Sequence, residues 1–346
     1  VDEVSELTSS PKSLRKIILR GIRTELLKHG STTKIELSRK LGISFPTVSK
    51  FITQMEKSGE VISRGLARSG GGRRAARYEY NANYRLGLAV FLERNKTGYV
   101  VFNCRGEVKD RKEIASVLTK DIESFAEHVE PLLAKYPKIS ALSIGVPAAV
   151  SNGRIIYIPG YERFQDLNLK GFCEQRFSIP VIVENDMNAA VLGYHLHCRH
   201  KDASSLVYLY FGPNGPGAGV MVNGQLVRGS TSFSGEISFV PQYDNRNFLQ
   251  AMHFIKEKAL SAGADFDPVS RLIASIAAIL NPHRVIFCHD EVTPVMLAQI
   301  ATGCTAYIPA EHMPEMAVSN FRKDYFNGLQ GLGLELMLAE ADKNEE

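Results

Sequence analysis

The chain has 346 residues, 44% of them hydrophobic and 23% charged, with five scattered cysteines and a formal net charge of +4. That length allows two or three domains, and that composition is that of a soluble globular protein. No apolar run reaches membrane-spanning length, no signal-peptide pattern stands at the N-terminus, and the odd cysteine count argues against a disulfide framework, so a reduced, cytoplasmic protein is expected.

Residues 1–11 are polar and read as a loose arm. A helix is expected from about Ser13 to His29, with Leu14, Ile18, Ile22 and Leu26 along one face. Thr33-Lys34-Ile35-Glu36 has the spacing of a capping box and opens a short helix that Gly42 ends. A second helix opens at Ser44, an N-cap residue, with Pro46 in its first turn. In it Val48, Phe51, Ile52 and Met55 recur at helical spacing and form a buried face. The opposite face carries small, hydrogen-bonding or cationic groups suited to a major groove. A strand near Glu60–Arg64 follows, then the tip Ser69-Gly70-Gly71-Gly72-Arg73-Arg74 and a returning strand from Ala76 to Asn81. Together these read as a winged helix-turn-helix. Ser44, Thr47, Ser49, Lys50 and Thr53 are the candidate contacts to bases or backbone, and Arg73 and Arg74 the candidate wing contacts.

The charge distribution agrees. Residues 1–80 carry 16 Lys and Arg against 8 Asp and Glu, a net of +8, while residues 81–346 carry 25 against 29, a net of −4. A polyanionic partner accounts for that asymmetry, because neutralised phosphates release counterions. An ordinary solvated face on a helical interaction module is the competing reading.

Asn81 to Arg85 read as a hinge, after which strands and helices alternate. Leu86–Leu92, Gly98–Asn103 and Glu107–Ile114 read as successive antiparallel strands, Ile122–Lys135 as a helix, and Ser140–Val146 as a buried strand. Leu167–Phe177 reads as a helix and Pro180–Val183 as a short strand, which delivers Glu184-Asn185-Asp186-Met187-Asn188-Ala189-Ala190 at its carboxyl end, where α/β sheets hold their ligands. Ser205–Phe211 is a further strand. A glycine-rich run through Gly219, the hairpin turn Asn223-Gly224, and a small-residue loop from Gly229 that ends in Glu236 follow.

In this order, these segments resemble the ROK family of repressors, open reading frames and sugar kinases. Glu184 to Ala190 is similar to its E-N-D-x-N-A-A signature, Gly217 to Gly224 to its G-A-G hairpin, and Phe233-Ser234-Gly235-Glu236-Ile237 to the segment opening its E-x-G-H motif. The first 80 residues resemble the repressor branch. The resemblance implies an α/β chain in which a winged helix-turn-helix at 1–80 precedes a two-lobed, actin-like, ribonuclease-H-type body at 81–346. The lobe boundary is expected near 190, with a C-terminal helix returning to the first lobe. It implies a sugar effector read by Asp186, beside Asn185 and Glu236. A second possibility is that Asp186 only caps its helix while Glu236 satisfies loop amides.

The departures from the family pattern bear on function. Where its kinases carry D-x-G-G-T, this chain has Leu88-Ala89-Val90-Phe91-Leu92-Glu93, so the aspartate's place falls to Ala89 or Phe91. Pro213 and Pro216 supply no N–H to a phosphate loop, and Cys288-His289-Asp290 replaces glycines. Phosphoryl transfer depends on positioning and charge stabilisation, so no kinase activity and no bound cofactor are expected. The family's zinc motif is absent, its sugar-contacting histidine is Phe239, and an asparagine of its P-N motif is Gly160. The run His195-x-His197-Cys198-x-His200 could hold a metal only if it curled, and no metal is expected. The expectation is a sequence-specific transcriptional regulator, a repressor, working as a homodimer on palindromic double-stranded operator DNA. An active sugar kinase, and a DNA-binding dimer whose body binds a protein or nothing, are the alternatives.

Overall fold

The computed structural model describes residues 11–66, 74–197, 204–212, 215–252 and 266–339. Arg73, Cys198, His200 and Pro213 lie outside the described residues.

Helix α1 (Pro11–His29) leads into the short strand β1 (Ser31–Thr33), α2 (Lys34–Leu41) and α3 (Phe45–Lys57). The expected capping box is present. The Thr33 hydroxyl accepts the Glu36 N–H, the Glu36 carboxylate accepts the Thr33 N–H, and Gly42 closes α2 at a left-handed φ of 64°. The Ser44 hydroxyl caps α3 by accepting the Thr47 N–H. Strands β2 (Val61–Leu66) and β3 (Ala76–Tyr80) form the wing, and β1 pairs with β3 to give a three-stranded sheet. At three residues β1 is too short to show a strand pattern in the sequence.

The stripe expected on α1 is corrected. Leu14 is 51% exposed, and the buried face is Leu19, Ile22, Arg23 and Leu26. The helix's first turns extend past the core, and the stripe rotates to bring Arg23 inside. There its Nε donates to Glu60 Oε1 at 2.6 Å, and the Tyr80 hydroxyl donates to the same oxygen at 3.1 Å. A buried cation beside apolar positions escapes a search for apolar spacing.

The body has two five-stranded sheets. In the first, β4 (Leu86–Leu92), β5 (Lys96–Asn103) and β6 (Val108–Ala115) form an antiparallel meander. Helix α4 (Ile122–Lys135) then crosses to β7 (Ile139–Val146), which lies parallel to β4. The hairpin β8 (Ala149–Ser151) and β9 (Arg154–Tyr157) precedes α5 (Leu169–Phe177). Asn168 caps α5 by accepting the Gly171 N–H, so this helix starts later than expected. Strand β10 (Val181–Asn185) completes the order β10-β7-β4-β5-β6.

Helix α6 (Asp186–His197) passes to the second sheet, ordered β13-β12-β11-β14-β15: β11 (Leu206–Tyr210), β12 (Gly217–Val222), β13 (Gln225–Leu226), β14 (Arg284–Cys288) and β15 (Glu315–Ser319). Helices α7 (Asp267–Leu280) and α8 (Pro294–Cys304) cover it. Helix α9 (Phe321–Ala339) then returns across the face of β4 and β7 and packs on α6. That crossing is close because it uses glycine. A Cβ on Gly328 would lie 1.8 Å from the Ala189 carbonyl oxygen, and one on Gly193 would lie 1.8 Å from that of Asp324.

The expected hinge is stitched on both sides. Asn81 N–H donates to the Glu60 carbonyl, Cys104 N–H to that of Ala82, and Lys138 Nζ to that of Asn83. Arg23 also reaches the Leu338 carbonyl in the last turn of α9 at 3.4 Å. One buried apolar cluster runs from Ile22 and Val48 through Tyr80 and Cys104 to Leu332 and Met337. Among the described residues, no helix is long and apolar enough to cross a membrane.

Candidate functional site: two clefts at Asp186 and a groove-facing helix

Helix α3 exposes Ser44, Lys50 and Thr53, leaves Thr47 and Ser49 half-buried, and buries Val48, Phe51, Ile52 and Met55. Lys34, which the sequence reading passed over, joins this face: its Nζ donates to Ser49 Oγ at 3.2 Å and Thr53 Oγ1 at 3.3 Å. It also lies 5.2 Å from the Tyr78 ring centroid. Lys34 therefore orders two of the hydroxyls expected to meet DNA. In the wing Arg74 is exposed, while Arg64 and Arg105 both pair with Glu79.

The second region lies where β10 ends and α6 begins. Asn185, Asp186 and Glu236 line one pocket together with Tyr157, Tyr210, Arg228, Phe239 and Leu249. Their roles differ. Asn185 caps α6: its Oδ1 accepts the N–H groups of Met187 and Asn188, and its Nδ2 donates to the Ala148 carbonyl. Its polar atoms are thus taken up by backbone, and the capping role weighed for Asp186 belongs mostly to its neighbour. Asp186 also accepts the Met187 N–H, at 2.8 Å. Burial, aided by the nearby charges of Glu236 and Glu93, pushes its pKa up to about 7. Burial raises that of Glu236 as well, and its side chain makes no hydrogen bond or ion pair among the described residues. Loop amides therefore do not use it.

Glu184 is the support that sequence reasoning missed. Nearly fully buried, it accepts the Asn185 N–H and Asn188 Nδ2 and holds the guanidinium of Arg228 at the pocket wall. What remains for a ligand is a pair of desolvated carboxylates, strong acceptors for hydroxyl donors.

Behind Asp186 lies a second cleft, lined by Glu93, Tyr210, Phe211, Asp290, Glu291, Phe321 and Tyr325. Several of its lining groups already have partners in the chain. Ala89 is fully buried, and Phe91 sits edge-on to Tyr325 with ring centroids 5.0 Å apart. Tyr210 stacks on Phe321 at 4.2 Å, Arg322 pairs with Glu93, and Glu291 Oε2 accepts the Phe211 N–H at 2.8 Å. A backbone donor that could meet an anion thus already has a carboxylate partner. Pro216 lines the open pocket and offers no N–H.

His195 and His197 end α6, where His197 Nδ1 lies 3.3 Å from the Gly193 carbonyl oxygen. Cys288, His289 and Asp290 place three possible metal-ligand atoms within 4.8 Å of one another. The Cys288 sulfur, however, already faces the backbone N–H groups of Asp290 and Phe321.

The ROK family profile matches residues 88–247, and a winged helix-turn-helix DNA-binding profile matches residues 16–61. The matched region belongs to the ROK family. A protein of Caldicellulosiruptor sp., provisionally named a xylose repressor, is 30% identical over 236 residues, 65% of this chain and 58% of its own length. The xylose repressor of Bacillus spizizenii is 26% identical over 248 residues, 68% of this chain and 62% of its own. This chain spans about three fifths of the length of these curated relatives. A crystal structure of a ROK family transcriptional regulator, a homologue of the E. coli MLC protein, superposes with a TM-score of 0.66 at 16% identity. It covers 92% of this chain and 99% of that one, a likeness of fold.

Proposed function

We propose that this chain is a DNA-binding transcriptional repressor whose kinase-derived body senses a neutral sugar and does not phosphorylate it. The observation that carries the reading is the contrast around Asp186: on one side Glu236 has no partner among the described residues, while on the other Glu93, Glu291, Tyr210 and Phe321 are engaged with other parts of the chain. The relatives named for xylose make xylose the first effector to test.

In this reading residues 1–80 bind operator DNA through Ser44, Thr47, Ser49, Lys50, Thr53, Arg73 and Arg74. Residues 81–346 bind the effector through Asp186 and Glu236, with Asn185 fixing the loop, and pair with a second copy on a palindromic site. Helix α9 supports a route between the two functions. Its first turns line the cleft beside Asp186, and its last turn accepts the hydrogen bond from Arg23 in the DNA-binding unit. A ligand that prefers one arrangement of the walls would shift the spacing of two paired heads.

The test is fluorescence anisotropy of the purified protein on labelled upstream DNA across a salt series, with and without xylose. Tight binding at low salt that xylose weakens is expected, and Lys50→Ala should reduce the salt slope by about one. Indifference to all DNA at low ionic strength, or brisk ATP turnover with a sugar, would overturn the proposal.

A further inference from the structure

The open pocket is polarised between its floor and its rim. At the floor stand Asp186 and Glu236, and Arg228, the one cation among the described residues that line the pocket, is already held by buried Glu184. The floor thus carries uncompensated negative charge. At the rim the character reverses. Tyr157 comes from the β8–β9 hairpin of the first lobe, and Phe239 and Leu249 from the second. Phe233 packs on Phe239 with ring centroids 5.3 Å apart, yet the two rings remain 49% and 48% exposed, and Tyr157 is 40% exposed. Aromatic surface clustered beside a polar pocket, and contributed by both lobes, marks a place where bound material covers it.

We infer that the pocket takes a neutral glycoside, with one sugar ring read by Asp186 and Glu236 and its glycosidic substituent, a second sugar or an aryl group, lying against Phe239 and Tyr157. This rests on the reading of the pocket as a sugar site. The floor determines the charge: a phosphorylated or acidic sugar would bring its anion beside two carboxylates with no unengaged guanidinium among the described lining residues to meet it. The rim determines the substituent. A free monosaccharide held at the floor leaves the rings in water, whereas a linked ring buries them and gains their apolar contact. Because the rim comes from both lobes, the same substituent touches both at once.

The test is calorimetric titration of the full chain with D-xylose and D-glucose, their phenyl β-glycosides, xylobiose, and glucose 6-phosphate. At least one glycoside should bind roughly tenfold or more tightly than its parent sugar, and the phosphate should not bind. Phe239→Ser should remove the preference, read as the ratio of glycoside to parent-sugar affinity, and Phe239→Tyr should keep it. Phe239 is half-exposed, so neither change threatens the fold. Equal affinity for parent and glycoside, tighter binding of the phosphate, or a preference that survives Phe239→Ser would overturn this inference and leave the sugar reading standing. Silence toward every sugar and glycoside would overturn both.

Discussion

The two clefts that meet at Asp186 share a carboxylate and a fold but differ in what their polar groups face. In the open pocket Glu236 has no partner among the described residues, and Asp186 is only partly used. In the cleft behind it, Glu93, Glu291, Tyr210 and Phe321 are each paired with another part of the chain. A pocket binds when its polar groups are desolvated and still unsatisfied. A cleft whose groups already satisfy one another gains little by admitting a ligand, which must first break those contacts.

The largest effect should come from the wall common to both. Gly328→Ala drives a methyl into the Ala189 carbonyl and pushes α9 off α6. A loss of about 1–3 kcal/mol or more in urea unfolding is expected, together with loss of sugar binding. Unchanged stability would mean that the close crossing does not support the clefts.

Next, Asp186→Asn should separate the two sides. It removes the charged acceptor, so sugar affinity should fall roughly 10- to 100-fold in calorimetry. Thermal stability at pH 8 should rise, because a desolvated charge is gone. An unchanged sugar affinity would place the ligand elsewhere.

A pH series sharpens the same point. The folded-state pKa of Asp186 lies above its ordinary 3.8, so the folded chain holds that proton more tightly than the unfolded one. This contribution to stability is full below 3.8 and is lost as pH rises to about 7. Sugar affinity should run the other way and strengthen as pH rises through 7, since the ionised carboxylate is the better acceptor. Asp186→Asn should flatten both profiles.

The smallest effect expected is the response to nucleotide. Millimolar ATP with magnesium should leave the melting temperature unchanged, whereas a sugar at a hundred times its Kd should add about 2.7 kcal/mol of stability. Glu291→Ala should cost about 1 kcal/mol through the freed Phe211 N–H and still produce no ATP response. A melting shift with ATP in either protein would show that the cleft admits nucleotide despite those contacts.

The sequence by itself determined the local devices: the Thr33–Glu36 box, the Ser44 cap, the buried face of α3, and the strand-to-helix junction at Asn185–Asp186. Each depends on residues a few positions apart, where helix and strand periods dictate which groups meet. It also located the excess of positive charge in residues 1–80. Only the tertiary structure decided what depends on distant partners: Arg23 inside the core with Glu60, Lys34 aligning Ser49 and Thr53, Glu184 holding Arg228, and Glu291 taking the Phe211 N–H. It likewise assigned the helix cap to Asn185 and left Glu236 without a partner among the described residues. Whether a charged side chain is spent or available depends on which groups folding brings beside it, and those groups lie 15 to 80 residues away along the chain.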